Sequence, residues 1–246
     1  MGTVTDFFTL AGRPTKITAR GFGWTHAGRT QPALADIDLV IEPGERVLLC
    51  GDSGSGKSTF LAAIAGVLGS DEEGTRTGEI LLEDSTGAVE EPGHSIPVGL
   101  VLQDPDSQVI SARVGDDIAF GCENLAYPRE EIWRRVAAAK DLVGPFVDMD
   151  FPTERLSGGQ KQRLALAGVI AMGAGVVLLD EPTANLDPAG ARDVVRAVSA
   201  LVEETGATLV VIEHQHTAWE GVLDRAVELA HGRIVADGPF EQIARR

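Results

Sequence analysis

One segment constrains this chain more than any other: Gly51-Asp52-Ser53-Gly54-Ser55-Gly56-Lys57-Ser58. It fits G-x-x-x-x-G-K-[ST], follows the strand-like stretch Arg46 to Cys50 and opens an apolar helix, Ser58 to Leu68. A buried strand, a glycine-rich turn and a helix in that order demand an α/β layer with the turn at the strand's carboxyl end. The glycines let backbone N–H groups turn inward around a polyphosphate, and the helix N-terminus adds partial positive charge. In such a loop Lys57 reaches the β- and γ-phosphates, Ser58 ligates Mg²⁺ and Thr59 holds an α-phosphate. The expected ligand is a nucleoside triphosphate.

Binding is not hydrolysis, and a second element supplies the difference. The apolar run Val176-Val177-Leu178-Leu179 delivers two carboxylates, Asp180 and Glu181, at its polar end. Asp180 can reach the magnesium shell, which leaves Glu181 to polarise a water in line with the γ-phosphate. A third element, Leu156-Ser157-Gly158-Gly159-Gln160, opens another helix with Ser157 as N-cap and two glycines that leave N–H groups exposed. It reads as a second anion site in a chain that already has one.

With these three elements in place, the chain resembles the ATP-binding subunits of ABC transporters, and the resemblance covers essentially the whole sequence. It implies ATP and Mg²⁺ as ligands, and a head-to-tail dimer with two ATP at its interface. The second subunit is an identical or a paralogous chain. In that arrangement the signature Ser157, Gly158, Gly159 and Gln160 closes over the nucleotide held by the partner's phosphate loop. Gln103 falls where the family's glutamine contacts magnesium and the attacking water. Ala184-Asn185-Leu186-Asp187 resembles the loop that crosses to the other subunit. His214, directly after the strand Leu209 to Ile212, matches the switch histidine that holds the γ-phosphate, with His216 as its competitor. Trp24 occupies the place of the aromatic under the adenine; core packing of Trp24, with Phe22 as the stacking residue, is the alternative.

A finer resemblance follows Gln103. The stretches Val98 to Gln108 and Val114 to Gly121, together with Glu213-His214 and Trp219, are similar to energy-coupling-factor importers of vitamins and transition-metal ions. This implies that transmembrane subunits dock near Gln103–Ala112, with Asp104, Asp106, Asp116 and Asp117 as candidate acceptors for arginine forks. Two residues depart from the group: Leu102 stands where Phe is common, and Cys122 where Pro is common. A hundred residues separate Lys57 from Ser157 with no heptads and no cysteine clusters, which disfavours the DNA-repair and chromosome-organising relatives. A soluble ABC-type ATPase in a regulatory or assembly complex, without a membrane partner, is the alternative function.

The expected fold is α/β: a P-loop NTPase core with a mainly parallel sheet, an N-terminal antiparallel β subdomain and an inserted helical signature subdomain. The 246 residues form one domain in this reading, with a catalytic core over about 1–103 and 169–246 and the helical part over about 104–168. Locally, Lys16 to Trp24, Ile37 to Ile41, Gly78 to Leu82 and Thr208 to Ile212 read as strands, and Asp71 to Thr77 as a surface loop. Asp116 to Gly144, Ser157 to Met172 and Ala189 to Thr205 read as helical, and Ala226 to Asp237 as a hairpin turning at His231-Gly232.

A net charge of −16, with lysine only at positions 16, 57, 140 and 161, argues against nucleic-acid binding. The longest uncharged run, Leu164 to Leu179, would reach roughly 24 Å as a helix, short of a hydrocarbon core of about 30 Å. No basic region followed by an apolar one stands at the start, and Asp6 occupies the place where a myristoylation signal needs Ser or Thr. The expected location is peripheral, on the cytoplasmic face of the cell membrane. Cys50 and Cys122 have no metal-like spacing and read as inert.

Overall fold

The computed structural model describes residues 14–69, 73–144, 146–184, 186–214 and 216–244. The N-terminal sheet is antiparallel, in the order β2-β1-β4-β5, with β1 at Lys16–His26, β2 at Leu34–Ile41, β4 at Gly74–Glu83 and β5 at Val89–Glu90. The second sheet runs β10-β9-β3-β8-β7-β6. Its strands are β3 (Arg46–Cys50), β6 (Val98–Val101), β7 (Val176–Asp180), β8 (Thr208–Ile212), β9 (Arg225–Ala230) and β10 (Arg233–Pro239). From β9 to β6 every pairing is parallel, and only β10 pairs antiparallel.

The parallel strands are apolar on both faces because both faces are covered. Val47, Leu49, Val176, Leu178, Val210 and Ile212 face one core, shared with helix α1 (Lys57–Ala65) and the antiparallel sheet. Their neighbours Leu48, Val177, Leu179, Leu209 and Val211 face the other. That second core takes in α2 (Val114–Asn124), α3 (Arg129–Ala139), α4 (Gly158–Met172) and α5 (Pro188–Thr205). A short helix, α6 (Phe240–Ile243), packs below β9 and β10.

Several local expectations are corrected. The polar stretch read as a loop up to Thr77 enters β4 at Gly74, because Thr75, Arg76 and Thr77 pair with Thr25, Trp24 and Gly23. Their side chains point to solvent, so composition hid a strand that backbone hydrogen bonds make; Asp71 lies outside the described residues, as do Met1, Gly2 and Asp6. Helix α1 stops at Ala65 rather than Leu68, since Gly66 turns left-handed (φ 73°) and its N–H caps the Ala62 and Ala63 carbonyls. The helical stretch from Asp116 divides into α2 and α3 where Ala126 takes φ 54° and Pro128 precedes the second helix. Strand β6 was not legible: four residues are too short to show a period, and it forms as the sheet edge against β7. At the hairpin, His231 (φ 50°) and Gly232 (φ 73°) both adopt the left-handed turn that joins β9 to β10.

Candidate functional site

The parallel register brings four separate segments to one edge. Strands β3, β8, β7 and β6 end side by side, and at or just beyond their ends stand the phosphate loop, His214, Asp180-Glu181 and Gln103. Carboxyl ends of adjacent parallel strands are where open α/β sheets form their ligand crevices.

The phosphate loop is held from behind. A Cβ on Gly51 (φ 131°) would lie 2.1 Å from the Leu229 carbonyl oxygen, and one on Gly56 (φ 107°) 2.6 Å from that of Ala33. Only glycine fits either place. The Gly232 N–H donates to the Ser55 carbonyl at 3.0 Å, so the β9–β10 hairpin carries the floor of the loop. Sequence reading gave that hairpin no part in the site. Lys57 is 7% exposed and its Nζ donates to the Gly51 and Asp52 carbonyls at 2.8 and 2.9 Å. Ser53 and Gly54 are exposed at the loop tip, Thr59 is half-buried, and the buried Ser55 Oγ has no hydrogen-bond partner among the described residues.

The Ser58 hydroxyl hydrogen-bonds the Asp180 carboxylate. Burial pushes the Asp180 carboxyl above its usual range; the Ser58 bond opposes this, Glu181 adds to it, and Lys57 and His214 oppose it. A desolvated carboxylate beside a hydroxyl is a hard oxygen donor pair, the kind that binds Mg²⁺ with few protein ligands plus substrate phosphates. Ser58 and Asp180 therefore fit the metal, with Gln103 next to them through Glu181.

Glu181 is the hinge of the arrangement. It holds φ 48°, an uncommon conformation for a residue with a Cβ, and its N–H donates to the Ile212 carbonyl at 2.9 Å. Gln103 Nε2 donates to its Oε2 at 2.9 Å, and His214 Nε2 stands 3.0 Å from its Oε1. His216 turns away, with Nδ1 3.2 Å from the Ala244 carbonyl. Behind them, the buried Glu213 accepts from the Thr183 hydroxyl and from the His214 N–H. The sequence gives Thr183 no task and Glu213 only its place beside His214 in the energy-coupling-factor resemblance; Glu213 directly follows the apolar strand β8, and Thr183 lies three residues past β7.

The signature segment stands apart on α4. Ser157 Oγ accepts from the Gln160 N–H while Gln160 Oε1 accepts from the Ser157 N–H, a complete capping box. Among the described residues a Cβ on Gly158 would meet nothing within 4 Å, and one on Gly159 would meet Leu186 at 3.5 Å. Asp187 caps α5 by accepting from the Gly190 N–H at 2.6 Å. Asn185 lies outside the described residues.

One expectation changes, that of an exposed aromatic face. Trp24 is 4% exposed, packs on Gly74 and donates from Nε1 to His26 Nδ1 at 3.1 Å, so here it is a core residue rather than an open stacking face. Phe22, its alternative, is equally buried. Of the four candidate acceptors, Asp106 pairs with Lys161, and Asp117 accepts the Ile110 and Ser111 N–H groups at 2.8 Å each. Burial pushes the Asp117 carboxyl upward against those two bonds. Asp104 and Asp116 remain exposed. Burial also raises the Cys50 and Cys122 thiols to about 11, which keeps both protonated.

Comparison with known proteins gives the family and the fold. The family model described as ABC transporter matches residues 34–184. The chain is 39% identical to an energy-coupling factor transporter ATP-binding protein of Caldanaerobacter subterraneus, over 87% of this chain and 76% of that one. It is 38% identical to a Methanosarcina acetivorans protein provisionally named an ABC transporter ATP-binding protein, covering 92% of this chain but only 35% of the relative's length. Among solved structures, cbiO1 from Clostridium perfringens, described as part of the ABC transporter complex cbiONQ, superposes with a TM-score of 0.77. It is 30% identical, over 94% of this chain and 90% of that one. A dimeric ATP-binding cassette bound to ADP and Pi shares the fold (TM-score 0.73, 22% identity, 91% of this chain and 98% of that one).

Proposed function

The chain belongs to the ABC transporter family as one of its ATPases, and on that premise we propose that it hydrolyses ATP to drive an energy-coupling-factor importer of a vitamin or transition-metal ion. One observation carries the hydrolytic part: the Glu181 carboxylate is fixed between Gln103 and His214, next to the Asp180–Ser58 pair and the phosphate loop. A carboxylate so held is a general base for water.

In this reading the N–H groups of Gly51 to Thr59 and the Lys57 ammonium enclose the phosphates. Ser58, Asp180 and Gln103 would hold Mg²⁺, which would neutralise phosphate charge when bound. Glu181 takes the proton of the attacking water as the new O–P bond forms. The bond from the γ-phosphorus to the bridging oxygen breaks, leaving ADP and phosphate. His214 and Gln103 keep the carboxylate aimed.

The partner is a second such subunit, identical or paralogous, placed head to tail. Gly158 supports this: among the described residues nothing stands within 4 Å of a Cβ placed there, so the position is open to a close approach by a partner's nucleotide. The same reading divides the chain into a core (1–103 and 169–246) and a helical part (104–168). It places the transmembrane subunits at the Q-segment, Gln103 to Ala112. A cavity of about 290 Å³ there is lined by Leu102, Ile110, Phe120, Leu164 and Met172. Leu102, Ile110 and Phe120 are 40%, 60% and 38% exposed, and apolar side chains so exposed mark a contact surface. No described helix is long and apolar enough to cross a membrane. The location in this reading is peripheral, on the cytoplasmic face of the membrane. The similarity to the Caldanaerobacter protein favours the energy-coupling-factor assignment, and that to cbiO1 favours a place in a transporter complex.

The test is recovery of the tagged chain from detergent-solubilised membranes, with phosphate release from ATP measured on the product. Co-purification of a polytopic membrane protein and a vitamin or metal ion supports the proposal. Recovery with soluble partners alone refutes the transport reading, and absence of ATP turnover refutes the enzymatic one.

A further inference from the structure

We propose that Glu213 is a positioning residue for hydrolysis, a buried carboxylate that locks the loop carrying Glu181 to the loop carrying His214. The proposal rests on the reading of Glu181 as the base. Glu213 is 4% exposed. Its Oε1 accepts from the His214 backbone N–H at 2.8 Å, and its Oε2 accepts from the Thr183 hydroxyl. Thr183 lies two residues after Glu181, and His214 is the residue whose ring meets Glu181 Oε1. One side chain thus ties the segment after β7 to the segment after β8, 30 residues further along the chain.

The site needs such a tie. Glu181 sits at φ 48°, a conformation that persists only where surrounding contacts over-determine it. The Glu181 N–H to Ile212 bond fixes one side of the loop, and Thr183–Glu213 fixes the other. With His214 55% exposed at its side chain, the ring's aim depends on its backbone, and Glu213 holds that backbone. Misplacement of a catalytic group by about 1 Å costs on the order of a hundredfold in rate.

The chemistry separates positioning from mere packing. In Glu213→Gln the amide oxygen accepts from the His214 N–H while its NH₂ donates to the Thr183 hydroxyl oxygen, so both ties survive. In Glu213→Leu the volume stays but both ties are lost, and in Thr183→Val one is lost. We expect Glu213→Leu to lower kcat roughly ten- to hundredfold with little change in KM. Glu213→Gln should retain most of kcat, and Thr183→Val combined with Glu213→Leu should be no slower than Glu213→Leu alone. The measurements are steady-state phosphate release, ATP affinity by equilibrium binding and circular dichroism on the full chain, beside wild type and Glu181→Gln. A folded Glu213→Leu variant with unchanged kcat, or strictly additive effects in the double variant, overturns the proposal. Equal loss in the Leu and Gln variants, or parallel loss of ATP affinity and fold, overturns it too. If Glu181→Gln turns over like wild type, the base assignment falls and this inference falls with it. An inactive Glu181→Gln beside a fully active Glu213→Leu sinks only the role of Glu213.

Discussion

Replacing Glu181 by Gln changes one atom of the carboxylate and tests the proposed chemistry with little disturbance of the structure. Two partners define the side chain: Gln103 Nε2 at 2.9 Å from Oε2 and His214 Nε2 at 3.0 Å from Oε1. A glutamine can keep both contacts, since its oxygen accepts from Gln103 while its nitrogen donates to His214 in the tautomer protonated on Nδ1. The loss in ground-state interaction is then at most one hydrogen bond, about 1 kcal/mol or roughly fivefold in ATP affinity. What disappears is the proton acceptor. General-base catalysis contributes about a hundred- to ten-thousandfold, equivalent to about 2.7–5.4 kcal/mol of barrier. The expected result is severely reduced phosphate release at saturating ATP, near-normal equilibrium binding of ATP, and accumulation of an ATP-bound dimer in gel filtration. Steady-state hydrolysis like that of the wild type would refute the assignment of Glu181, whatever happened to binding.

Lys57→Ala removes the ammonium that is held against the Gly51 and Asp52 carbonyls. Charge-assisted bonds to phosphate are worth about 1.5–3 kcal/mol, so ATP affinity should fall at least about tenfold by titration calorimetry; unchanged affinity would contradict the loop's role. Ala126 carries φ 54°, where a Cβ costs roughly 1 kcal/mol, so Ala126→Gly should raise the melting temperature by a few degrees; a fall would show that the loop depends on the methyl group. The Glu131 carboxyl is held down at about 2, from an ordinary 4.5, chiefly by the Arg134 hydrogen bond and then by Arg135. A depressed carboxylate contributes stability above the unfolded pKa and loses it as the pH falls from 4.5 towards about 2. Because the three side chains are partly exposed, the contribution is discounted to about 1 kcal/mol. The urea-unfolding gap between wild type and Glu131→Gln should therefore close across that interval, and a gap that is flat with pH would refute the pairing.

How far the site was legible follows from what each part depends on. The phosphate loop, the Asp180-Glu181 pair and the Ser157 cap are local: their chemistry needs a strand end, a turn or a helix start within a few residues, and the sequence carries all of that. Even the placement of Gln103 and His214 beside Glu181 follows from topology, since parallel strands bring their carboxyl ends to one edge. The unreadable parts rest on partners far along the chain. Trp24 looks like a stacking residue until Gly74, inside a segment whose polarity suggested a loop, supplies the gap that its ring fills. Asp106 reads as an open acceptor, and the fold gives it Lys161, 55 residues later, as a partner while its side chain stays 71% exposed. Glu213 is the sharpest case, because a carboxylate after an apolar strand ordinarily reads as a solvated end. Only the register of β7 with β8, which sets Asp180 opposite Ile212, carries the chain one step further and puts the Thr183 hydroxyl against that buried carboxylate. Motifs therefore name the atoms that meet the nucleotide, whereas the residues that aim those atoms are fixed by sheet register, and register is visible only once the strands are paired.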